Sequence, residues 1–100
     1  MCKFILSSVG QRPPYYEVAE HLWGVGCNID SDGNSSTPDA TDWTELTLSL
    51  RPDNSQRVDI DPIITEGLLN LSIKAEIEDL AHRAALFLRD RAGGLLIRTE

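Results

Sequence analysis

The apolar positions change period several times along the chain, and each change marks an element. Over residues 3–9, Phe4 and Leu6 alternate with Ile5 and Val9, so both faces are apolar, as in a central strand. Gly10-Gln11-Arg12 reads as a turn. Pro13-Pro14 suits the first turn of a helix, where the donor that proline lacks has no partner anyway. Tyr15, Val18, Ala19 and Leu22 then recur at helical spacing, and Gly24 and Gly26 end the stripe with the left-handed backbone of a C-terminal cap. Residues 28–42 hold Asn, Asp, Ser, Thr, Gly and Pro with hardly an apolar position, which predicts a long acidic loop. Strict alternation resumes at Leu46, Leu48 and Leu50, with Glu45, Thr47 and Ser49 on the other face. A turn over Arg51-Pro52-Asp53-Asn54-Ser55 leads to Val58 and Ile60, alternating with Asp59 and Asp61 until Pro62 stops the strand. Glu66-Gly67 turns into a strand with Leu69, Leu71 and Ile73 on one face. Glu76, Glu78 and Asp79 open a helix at the positive end of its dipole. Its core stripe is Ile77, Leu80, Ala81, Ala84 and Leu88, Gly93-Gly94 caps it, and residues 95–98 form a last strand.

The predicted order is β-α-β-β-β-α-β. Three consecutive strands joined by short links read as an antiparallel meander. Each has one apolar and one polar face, so both helices belong on one side of the sheet and water on the other. The fold expected is α+β, a two-layer α/β sandwich close to a ferredoxin-like plan with an added strand. A chain of 100 residues, 41% hydrophobic and 25% charged, is the size and composition of a single globular domain spanning 1–100.

Charge changes the picture by its position. The formal net charge is −7, and the excess acid lies in the middle of the chain. Residues 28–50 carry Asp30, Asp32, Asp39, Asp42 and Glu45 with no basic residue, whereas the two ends are balanced. Such a field repels nucleic acid and anionic lipid and favours cations or a basic protein. The predicted open sheet face, with Glu45, Thr47, Ser49, Asp59, Asp61, Asn70 and Ser72, also lacks the stacking aromatics and basic rim of an RNA-binding sheet. No segment approaches the ~20 apolar residues that span a bilayer. The apolar run Phe4-Ile5-Leu6 is too short for a secretory signal, so the placement expected is cytoplasmic, with Cys2 and Cys27 reduced.

Three chemistries compete for this frame. The sharpest motif runs from Asn28 to Asp39 and resembles an EF-hand calcium loop, with Asn28, Asp30, Asp32, Ser36 and Asp39 at ligand positions and Gly33 at the turn. It departs from that pattern at position 1 (Asn28), at position 8 (Ser35) and at position 12, where Asp39 is shorter than the usual Glu; Pro38 leaves no exiting helix. His21 and His82 have no sequence-near Cys, Asp or Ser in a catalytic or ligand pattern, and a lone Gly10 followed by two prolines is not a phosphate loop. The third is an interface: Trp43 takes the polar-face phase beside the acidic segment, and Tyr16, Trp23 and Leu86 also sit off the core stripes.

The reading expected is therefore a small non-enzymatic interaction or regulatory domain, of the inhibitor or immunity type, binding a more basic protein through Trp43, Asp30, Asp32, Asp39, Asp42 and Glu45. The second reading is a calcium-binding domain using residues 28–39. The third is a small enzyme whose site is completed across subunits of a homo-oligomer near His21 or His82.

Overall fold

Both helices lie on one face of a six-stranded sheet in which every neighbouring pair is antiparallel. The computed structural model describes residues 2–37, 39–52 and 55–99. In chain order the elements are β1 (Cys2–Ser7), α1 (Tyr15–Trp23), β2 (Ile29–Gly33), β3 (Leu46–Leu50), β4 (Arg57–Thr65), β5 (Leu68–Ala75), α2 (Glu78–Ala92) and β6 (Leu95–Arg98). Across the sheet they run β2-β3-β4-β5-β1-β6.

The core follows from the two periodicities. Successive strand side chains point to opposite faces, and residues facing each other on neighbouring strands share a face. Leu46 pairs with Ile60, Ile60 with Ile73 and Ile73 with Phe4, a row that is buried throughout. Leu48, Val58, Leu71 and Leu6 extend it. Helix α1 contributes Val18, Ala19 and Leu22, and α2 contributes Leu80, Ala81, Ala84, Ala85 and Leu88. The small alanines let α2 lie close against β1 and β5. Arg83 of α2 donates to the Leu22 carbonyl at 3.0 Å, and Arg91 pairs with Glu17 at 2.5 Å, which ties the two helices together.

Several expectations are corrected here. The segment 28–42 is not one long loop: residues 29–33 form β2, which pairs with β3 from Ile29↔Leu50 to Gly33↔Leu46. The architecture is α+β as expected, with six strands among the described residues rather than five, so the ferredoxin-like plan with one added strand is met only in part. Pro62 does not stop β4, which continues to Thr65. Strand β4 alternates its main-chain bonds between two neighbours, and Leu50 N donating to Gln56 O assigns the even-numbered residues to β3. The Pro62 nitrogen therefore faces the side where β3 has already ended, and no ladder bond is lost. Ile77 is 41% exposed and caps α2 instead of lining its core stripe, where Ala85 stands in its place. The predicted turn after β3 includes Asp53 and Asn54, which lie outside the described residues, as does Pro38.

Candidate functional site

Five acids share the uncovered face at one end of the sheet. Asp30 lies opposite Ser49, which lies opposite Arg57; Asp32 lies opposite Thr47, which lies opposite Asp59. Asp61 continues the same phase one step further along β4, and Glu45, exposed, immediately precedes β3. Four of the carboxylates thus occupy neighbouring rungs of β2 and β4 on either side of β3, with Glu45 just before β3. Several are held by cations: Arg51 pairs with Asp30, Arg57 with Asp59 at 3.0 Å and Lys74 with Asp61 at 3.7 Å. Thr47 also donates to Asp59 at 3.0 Å. Asp32 accepts the Gly33 N–H at 2.9 Å, and among the described residues neither Asp32 nor Glu45 has a cationic partner. These pairs are partly to largely exposed, and such pairs contribute only about 0–1 kcal/mol.

The other end of the same face is apolar. Ile5 lies opposite Ile97, and Ser7 opposite Leu95; Leu95 is 66% and Ile97 49% exposed. Ile63 and Leu68, on β4 and β5, share this phase and are also exposed. Sequence reasoning ended β4 at Pro62 and so missed Ile63. The signal for Leu95 and Ile97 was their shared phase on the last strand.

Trp43 is not a surface anchor. It is 1% exposed, its indole N–H donates to Pro13 O at 2.8 Å, and its own carbonyl accepts from Arg12 Nε at 2.7 Å. The alternation of β3 begins only at Leu46, so phase carried back to residue 43 misplaced this side chain. Asp39 and Asp42 belong to the connection from β2 to β3. Asp39 accepts from the Thr37 hydroxyl at 2.8 Å. Asp42 stands by Arg12, where α1 begins; burial lowers the pKa of that guanidinium, and the Asp42 charge opposes the shift.

The five residues with EF-hand spacing are not wrapped around one centre. Asp30 and Asp32 stand two apart on a strand, Asp30 pairs with Arg51, and Ser36 and Asp39 lie beyond the hairpin end. A calcium loop needs a turn at Gly33, whereas here Gly33 closes a ladder with Leu46. Among the described residues no group of three or more His, Cys, Asp or Glu side chains is placed to hold a metal ion. His21 stacks on Phe87 at 4.5 Å between ring centroids, and His82 on Phe4 at 5.6 Å, so each ring packs on a separate aromatic.

A cleft runs between α1 and β2. It measures about 270 Å³ and is lined by Tyr15, Tyr16, Ala19, Glu20, Cys27 and Ile29, and a smaller hollow of about 140 Å³ adjoins it at Ser31, Gly33 and Leu46. Cys27 donates to Ala19 O at 3.7 Å on its wall. Strand β2 is the end strand on this side. The ladder bonds from Arg51 N to Asn28 O and from Asn34 N to Glu45 O set its phase. Asp30 and Asp32 therefore bond β3 through their main chains, and the N–H and C=O groups of Ile29 and Ser31 point away from the sheet. No described helix is long and apolar enough to cross a membrane. No family model, curated protein or solved structure matches the chain.

Proposed function

We propose that this protein is a non-enzymatic interaction domain of the regulatory, inhibitor-like kind, and that it engages a more basic protein with the β2–β4 end of its open sheet face. The observation that carries the reading is the gathering of Asp30, Asp32, Asp59 and Asp61 on neighbouring rungs of β2 and β4, on either side of β3, with Glu45 just before β3. Acids far apart in sequence, and interleaved with small Ser and Thr side chains, make a shallow negative surface. Such a surface attracts a positive patch at long range and sets its register at contact. The residue set differs from the sequence expectation. Trp43 leaves it through burial, Asp39 and Asp42 leave it because they lie on the connection from β2 to β3, and Asp59 and Asp61 join it through the register.

The test is affinity capture from a lysate of the native source, comparing the tagged wild-type chain with Asp30→Asn/Asp32→Asn/Glu45→Gln. Circular dichroism would confirm equal folding. A stoichiometric basic protein retained by the wild type and lost by the variant, with salt-sensitive binding, is the expected result. The same proteins on both chains, or none on either, would sink the proposal.

A further inference from the structure

We infer that the free edge of β2, together with the cleft beside α1, takes an extended segment of the partner as an additional strand in which basic residues alternate with small apolar ones. This rests on the interaction reading above and adds the mode of binding and the chemistry of the segment.

The main chain comes first. An end strand with outward N–H and C=O groups is a template for strand addition. In β2 those groups belong to Ile29 and Ser31, and no proline or lysine within β2 blunts the edge. The side-chain phase then sets the sequence of the occupant. Residues opposite each other in a ladder share a face. A segment lying along β2 would present every second side chain beside Asp30 and Asp32 on the open face, where a Lys or Arg fits. The intervening side chains fall in the phase of Ile29 and Ser31 and enter the cleft under Tyr15, Tyr16 and Ala19. That cleft, about 270 Å³, has room for small aliphatic groups. Peptide-recognition sites of this type combine main-chain bonding at a sheet edge with pockets for alternate side chains.

The same charges decide against a second copy of this chain. Pairing β2 with another β2 sets Asp30 and Asp32 among identical carboxylates, and like charges facing each other across a ladder are destabilising. A basic segment meets no such opposition.

The experiment titrates the ¹⁵N-labelled chain with a short capped peptide of alternating Lys and Val, against a Glu/Val peptide and a scrambled Lys/Val peptide. Expected are amide shifts centred on Ile29, Ser31 and Gly33 and on residues 15–19, and slower hydrogen exchange at Ile29 and Ser31. Asp30→Asn/Asp32→Asn should weaken binding about tenfold. Ser31→Pro, which removes one outward N–H at a position where an edge strand tolerates proline, should abolish it. If that variant unfolds, Tyr16→Lys, at an exposed position on the cleft wall, serves instead and should weaken binding severalfold. Shifts confined to Thr47, Asp59 and Ser72 with β2 unchanged would overturn the inference. So would equal binding by all three peptides, no shift at millimolar peptide, or self-association of the chain through β2. Capture that is lost in the triple acid variant but kept in Ser31→Pro would reject this edge mode and leave the face reading standing. Capture unaffected by the acid variant would reject both.

Discussion

The indole N–H of Trp43 donates to the carbonyl of Pro13, 30 positions earlier in the chain, at 2.8 Å. Around this bond Arg12 N donates to Thr41 O, and Arg12 Nε donates to Trp43 O. Together these three bonds fasten the connection between β2 and β3 to the start of α1. Tyr15, which lines both hollows, follows Pro13 by two residues. Trp43→Phe keeps most of the apolar contact but leaves the buried Pro13 carbonyl without its donor, which costs about 1–3 kcal/mol. Trp43→Ala adds a cavity and should cost about 3–5 kcal/mol. Chemical denaturation would measure both, and equal stability of the two variants would contradict this account.

Gly33 ends β2 where the chain turns toward Asn34. Its φ of 152° is one that side chains rarely adopt, and a Cβ there would run into the Glu45 carbonyl. Gly33→Ala should therefore destabilise by about 1–3 kcal/mol. The loss should be local, with faster amide exchange in β2 and at Asn34 before the β4–β5 ladder opens. Uniform loss of protection across the sheet would show that β2 is integral to the whole fold.

Arg98 holds Glu78 through a hydrogen bond at 2.6 Å, and that bond, with the arginine's charge, draws the Glu78 pKa below its ordinary value. Because the folded value lies below the unfolded one, the pair's contribution is present above the ordinary Glu range near about 4.3. It is lost as pH falls through the lowered value. Melting temperature followed from pH 7 down into that acid range should fall more gently in Glu78→Gln than in the wild type. Parallel curves would mean that the pair adds nothing to stability.

Calcium supplies a test of the hairpin itself. With Asp30 and Asp32 on a strand and Asp30 paired with Arg51, millimolar calcium should leave the melting temperature unchanged, and chelator should do the same. A rise in calcium that Asp32→Ala abolishes would mean that residues 28–39 refold around the ion.

Much of this was legible from local pattern. The phases of β3 and β5, the stripe of α1, that of α2 apart from Ile77, and the glycine ends of both helices follow from local pattern within one element, which needs no knowledge of neighbours. The acidic bias of residues 28–50 was equally visible.

The site was not. Strand β2 holds one aliphatic residue, Ile29, among Asp, Ser and Gly, so nothing in its own composition makes it a strand; its ladder with β3 does. Asp59 and Asp61 reach the acids of β2 only through the register of three strands, and Pro62 is tolerated only because β3 ends beside it. Trp43 is drawn into the core by Pro13, a partner far from it in sequence. Periodicity fixes which way a side chain points relative to its own backbone, and the sequence by itself determined that much. Which residues share a face, an edge or a buried hydrogen bond depends on contacts between distant segments, and those the tertiary structure decided.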